Sequence, residues 1–228
     1  MSWPMLRTGE FVLALLVILA VSGCLLDRSA PLTGDILVIG DSVLWWNSEA
    51  DASVADVLTT RLGLEVANAS VPGALFVGPQ GDSIQDQYVL GDWAWLVMDG
   101  GANDLGEGCG CGDCIAAVDP LISPDATAGA IPAFAQRIVE DGPRLVIMGY
   151  YDSPDAGGEF SGCQEELAAL NDRLELLSER LSGVFFAPAA QVIEPGNRAH
   201  YDEDLVHPSV LGSRLIGDQI AAVILAAP

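Results

Sequence analysis

The chain has 228 residues, half of them hydrophobic, and a formal net charge of −23. That length allows one sizeable core and argues against two independent domains. All nine basic residues are Arg and none is Lys. A surface this acidic repels phosphate backbones and anionic headgroups, which excludes nucleic acid as a partner and excludes electrostatic docking on a membrane.

The first element is FVLALLVILA (11–20), an uncharged run that follows Arg7 and leads into VSGC. It is too short to span a bilayer and reads as the apolar region of a signal peptide. Leu19-Ala20-Val21-Ser22-Gly23-Cys24 resembles the lipobox of bacterial lipoproteins. The resemblance implies cleavage before Cys24 and acylation of its thiol, with each buried methylene adding about 0.8 kcal/mol of membrane affinity. Residues 1–23 are therefore expected to be a signal peptide and 24–34 a tether, with 35–228 as the folded domain. Leu25 rather than Asp after the Cys is the pattern of outer-membrane sorting in Gram-negative lipoproteins. The expected location is exported and lipid-anchored to the cell envelope, on the periplasmic side of the outer membrane in such an organism.

Beyond the tether, short apolar runs alternate with helical patterns. DILVIG (35–40) reads as a buried strand, 53–62 as a helix and 64–70 as a second strand. WAWLVM (93–98) is a third strand, 126–140 a helix and RLVIMGY (144–150) a fourth strand. Leu167, Leu170, Leu174, Leu177 and Leu181 repeat at spacings of three and four, the mark of an amphipathic helix. Residues 184–187 make a fifth strand and 209–226 a final helix. Continuous apolar strands separated by helices imply a five-stranded parallel sheet covered on both faces. In such a sheet the ligand site lies beyond the carboxyl ends of the strands.

The residues suited to chemistry fall in those places. Gly40-Asp41-Ser42 follows the first strand, where a Ser can point into the crevice. A serine hydroxyl needs a base to become a nucleophile, and the chain holds two histidines, His200 and His207. His207 stands in Asp204-Leu205-Val206-His207-Pro208, with Pro208 expected as the first residue of the last helix. Asp204 can reach back to the second ring nitrogen and hold the tautomer. His200 has no carboxylate three residues upstream and reads as a surface residue. Asn103, in Gly101-Ala102-Asn103-Asp104, offers an amide, and Gly73 an N–H without a Cβ, to an oxyanion. A second Gly-Asp-Ser at 81–83 follows a Gly/Pro loop rather than a strand and reads as structural.

GDS after the first strand, Gly73 after the second, GxND after the third and DxxHP before the last helix together resemble the SGNH (GDSL) hydrolase family, in order, from Asp35 to the C-terminus. The resemblance implies a flavodoxin-like three-layer α/β/α fold. It also implies a serine ester hydrolase with Ser42, Asp204 and His207 as catalytic residues. Ser42, Gly73 and Asn103 would form the oxyanion hole, with no cofactor and no metal. Substrates would be small-molecule, polysaccharide or lipid esters. The alternative is an acyl-transferring or non-catalytic envelope module on the same fold. Trp45 and Trp46 depart from the family's small or polar residues after GDS and suggest an apolar or sugar-stacking wall, or packing beneath the loop. Four further cysteines, Cys109, Cys111, Cys114 and Cys163, read as two disulfides in an exported chain. CGCGDC as a zinc site is the weaker reading.

Overall fold

The computed structural model describes residues 32–228, apart from 80, 111, 113 and 114 and the side chain of Cys109. The expected signal peptide, the lipobox and Cys24 lie outside the described residues.

Five strands form one parallel sheet in the order β2-β1-β3-β4-β5: β1 (Ile36–Ile39), β2 (Val66–Asn68), β3 (Trp95–Met98), β4 (Arg144–Gly149) and β5 (Val184–Pro188). This is the flavodoxin-like order. Every residue of β1 and β3 is buried, as their unbroken apolar runs require when both faces of a parallel sheet are covered. Ile36 to Ile39 pair in register with Trp95 to Met98, so both strands end at the same level. The chain leaves β1 toward β2 on one side and resumes at β3 on the other, which opens a crevice between the ends of β1 and β3.

The helices are α1 (Ser42–Trp45), α2 (Val54–Leu62), α3 (Ala102–Cys109), α4 (Ala130–Asp141), α5 (Gln164–Arg180) and α6 (Val210–Ala226). α2 opens with a capping box, in which Ser53 and Asp56 satisfy each other's backbone N–H groups, and closes at Gly63 in the left-handed region. α5 buries Leu167, Leu170, Leu174 and Leu177, the leucine stripe expected from its spacing. Leu181 falls one residue past its end. α2 packs on α6 and α5 against β4 and β5.

Two local expectations need correction. α4 begins at Ala130 rather than 126, because Ala126 has a left-handed backbone (φ 55°) and Gly129 is the N-cap. α6 begins at Val210 with Ser209 as its cap, so Pro208 stands outside the helix. α1 and α3 are helices that the apolar pattern does not mark.

Candidate active site

Asp41 caps α1, its carboxylate accepting from the Val43 N–H at 2.9 Å, and this turns the chain sharply at the end of β1. Ser42, the first residue of α1, is thereby set at the mouth of the crevice. The turn is braced from two sides. The Gln87 amide pairs with the Gly40 backbone, accepting its N–H at 2.7 Å and donating to its carbonyl at 2.9 Å. The Asp41 N–H donates to Asp99 Oδ1 at 2.7 Å.

His207 arrives on the loop before α6. The Asp202 N–H donates to the His207 carbonyl at 2.8 Å, and Leu205 takes a left-handed backbone (φ 62°), so 202–207 closes into a tight loop. The Tyr151 hydroxyl donates to the Val206 carbonyl at 2.9 Å and ties the loop to the end of β4. His207 Nε2 lies 2.8 Å from Ser42 Oγ, and His207 Nδ1 lies 2.6 Å from Asp204 Oδ2. Asp204 also accepts from the backbone N–H groups of Val206 and His207 through Oδ1, at 2.9 and 3.0 Å. Partial burial works against its ionised form. The hydrogen bonds from the His207 ring and these two amides outweigh that cost and hold the carboxyl below its usual range.

Asn103 lies in the first turn of α3 and faces the same cleft as Ser42. Its Nδ2 donates to the Ala74 carbonyl at 3.1 Å, next to Gly73. Asp104 accepts from the Phe76 and Val77 N–H groups at 2.7 and 2.8 Å. The loop carrying Gly73 is thus fastened to α3 by two consecutive side chains. Gly73 has φ 75° and open space where a Cβ would stand, so the requirement for Gly there is conformational. The cleft is walled mainly by Val43, Ala102, Tyr150, Tyr151, Phe160 and Leu167.

A polar pair buried below Ser42 has no counterpart in the sequence reading. Asp41 and Asp99 are buried, and the Tyr150 hydroxyl donates to Asp41 Oδ2 at 2.5 Å. Burial raises the Asp41 carboxyl, partly offset by the bonds from Tyr150 and Val43. Burial and then the Asp41 charge push Asp99 well above the usual carboxylate range. Its Oδ2 lacks a hydrogen-bond partner.

His200 is buried rather than on the surface. Its Nδ1 accepts from the Glu194 N–H at 3.0 Å and its Nε2 meets the Asn197 amide at 2.9 Å, so it ties a turn together and is unavailable as a base. Ser83 of the second Gly-Asp-Ser caps the short 3-10 turn Ile84–Gln87 with Asp86, as its position after a loop implied. Trp46 does not wall the cleft. It stacks on His207, with ring centroids 3.6 Å apart and planes within 5°. Cys163 is buried and partnered at the start of α5. Among the described residues no group of three or more His, Cys, Asp or Glu side chains is placed to hold a metal ion.

Comparisons with known proteins bear on the family and the fold. The model of the GDSL-like lipase/acylhydrolase family matches residues 38–215. No curated protein matches the chain. Among solved structures, a protein from Streptococcus pneumonia superposes with a TM-score of 0.63 at 15% identity over 86% of each chain. The aryl esterase of M. smegmatis gives 0.56 at 17% identity, over 84% of this chain and 98% of that one. A carbohydrate acetylesterase from Sinorhizobium meliloti gives 0.55 at 16% identity, over 84% and 98%. At such identities these structures speak for the fold.

Proposed function

The chain belongs to the GDSL-like lipase/acylhydrolase family and is a carboxylic ester hydrolase, and on that footing we propose that its turnover runs through Ser42, His207 and Asp204. The observation that carries the reading is the unbroken line Ser42 Oγ–His207–Asp204, with separations of 2.8 and 2.6 Å. At those distances the imidazole can take the hydroxyl proton as Ser42 Oγ attacks the ester carbonyl. The Asp204 carboxylate then faces the imidazolium and stabilises it.

Attack puts a negative charge on the former carbonyl oxygen. The N–H groups of Ser42 and Gly73 and the Asn103 amide are the donors we assign to it, each worth about 3–4 kcal/mol in the transition state. When the tetrahedral species collapses, the carbon–oxygen bond to the alcohol breaks and His207 returns its proton to the departing alkoxide. Water, deprotonated in turn by His207, attacks the acyl-Ser42 ester. The carboxylic acid leaves and the Ser42 hydroxyl is restored. Every proton and electron pair is accounted for by the three side chains, the ester and water.

The cleft walls favour esters whose acyl or alcohol part is uncharged, and the acidic surface disfavours densely anionic substrates. We further infer that the enzyme acts at the cell envelope after export, held by lipid on Cys24. The support for this is the sequence 19–24, and metabolic labelling with a fatty acid, lost in Cys24→Ser, tests it. We also infer that Cys163 is disulfide-bonded to one of Cys109, Cys111 or Cys114, a clamp on the rim of the cleft.

The test of the main reading is hydrolysis of p-nitrophenyl acetate and longer esters by the wild type and Ser42→Ala. Loss of turnover in Ser42→Ala, with an unchanged circular dichroism spectrum, is expected. Undiminished turnover in that variant, or none in the wild type, would overturn it.

A further inference from the structure

Two hydrogen bonds hold the ring of His207, one at each nitrogen, to Ser42 and Asp204. Those two bonds and the Cβ–Cγ bond fix where the ring lies, but in-plane hydrogen bonds resist a tilt of the ring plane less than a contact on its face does. The His207 side chain is 18% exposed and sits on a loop, and Trp46 supplies the contact on one face. Its indole lies 3.6 Å from the imidazole and within 5° of parallel, covering one whole face of the ring.

Trp46 is itself held in place. Its Nε1 donates to Asp202 Oδ2 at 2.6 Å. The same Asp202 accepts the Glu203 N–H on its other oxygen at 2.7 Å and donates its own N–H to the His207 carbonyl. The next residue, Asn47, has a left-handed backbone (φ 66°) and donates to the Pro208 carbonyl at 3.0 Å and to Ser213 Oγ at 2.9 Å. The segment after the nucleophile is thus latched to the loop carrying the base on both sides of His207. We propose that Trp46, tethered by Asp202, is a positioning residue for the acyl-transfer step, fixing the plane of the His207 imidazole and facing the cation that forms on it.

The chemistry favours this arrangement over passive packing. An indole face carries negative charge density and attracts a cation set over it. Donation of its N–H to a carboxylate makes that face more electron-rich. Neutral imidazole gains little from the charge density, whereas the imidazolium formed as Ser42 attacks gains more. The benefit therefore falls on kcat and not on substrate binding.

This inference rests on the Ser42–His207–Asp204 reading, and the experiment separates the two. Steady-state hydrolysis of p-nitrophenyl acetate is measured for the wild type, Ser42→Ala, Trp46→Leu, Trp46→Phe and Asp202→Ala. Trp46→Leu is expected to lower kcat about tenfold, equivalent to about 1.4 kcal/mol, with KM within about twofold of wild type. Trp46→Phe restores a ring face and is expected to recover most of the loss. Asp202→Ala keeps the indole, removes its tether together with the carboxylate's bond to the Glu203 N–H, and is expected to fall between. It also serves if Trp46→Leu does not fold. Unchanged kcat in Trp46→Leu or in Asp202→Ala overturns the proposal, as does a Trp46→Phe no better than Trp46→Leu. A rise in KM at constant kcat would make Trp46 a substrate wall and overturn it too. Such results beside a wild type that loses turnover in Ser42→Ala sink this inference alone. A wild type without Ser42-dependent turnover sinks both.

Discussion

A Cβ on Gly40 would stand 1.9 Å from Asp99 Oδ1. The missing side chain at the end of β1 is what admits a second carboxyl beneath the nucleophile turn, where it accepts the Asp41 N–H. Asp99 is wholly buried beside another carboxyl, and both effects raise its affinity for a proton in the folded state. The folded chain therefore binds more protons than the unfolded one over this interval, and stability must fall as pH rises. The fall starts above the ordinary value of 3.8 and continues up to the raised one. Asp99→Asn keeps the acceptor oxygen and cannot ionise. Its thermal midpoint is expected to decline less than that of the wild type between acid and alkaline pH. Parallel declines would contradict the buried-proton account.

Asn103 is expected to be worth more in the transition state than in the fold. Asn103→Ala removes the proposed oxyanion donor and the bond to the Ala74 carbonyl. Loss of a single donor of this kind lowers kcat by about 10²–10³. The measurement is kcat for p-nitrophenyl acetate, with KM as the control. A decrease below about threefold would remove Asn103 from the oxyanion hole.

Asp204 does two things, and one variant separates them. Asp204→Asn retains an oxygen for the Val206 and His207 N–H groups but loses the charge that faces the imidazolium. A drop in kcat of up to about 10⁴ is expected with the fold intact. The carboxyl is held below its usual range, so its contribution to stability is present above the ordinary value. That contribution is lost as pH falls through the lowered value. Because the side chain is 40% exposed, this pH effect on the thermal midpoint should be small and weaken with added salt.

The proposed bridge from Cys163 predicts a measurable loss. Cys163→Ser is expected to destabilise the chain by about 2–4 kcal/mol in denaturant titrations under oxidising conditions. It should also add one free thiol from the CGCGDC segment to a thiol count. Equal stability and an unchanged count would contradict the bridge.

The sheet was legible because its strands are apolar runs that no other element interrupts, and Ile36–Ile39 and Trp95–Met98 needed no further signal. Ser42, His207 and Asp204 were legible because each sits beside a turn whose chemistry is local. The rest depended on contacts between distant segments. α3 begins at Asn103's turn but carries Gly106 and Gly108, which hide its helical pattern. α1 is a single turn whose form is set by the Asp41 cap and tertiary bracing. The Gln87 clamp on Gly40 spans two elements and leaves no spacing to read. Trp46 meets His207 only because α1 and the loop before α6 converge, so its sequence neighbourhood suggested a wall for substrate or packing beneath the loop and not this stacking. His200 looked exposed because nothing local announced that the 194–200 turn would fold over it.

We propose that the ester acylates Ser42 Oγ, with His207, held by Asp204, as the base that removes the hydroxyl proton. Rapid acid quenching of the enzyme with p-nitrophenyl acetate, followed by mass spectrometry of the peptide containing Ser42, tests this most directly. An added acetyl group on Ser42 in the wild type, absent in His207→Ala, is the predicted result. Turnover without acylation of Ser42, or acylation that survives undiminished in His207→Ala, would contradict it.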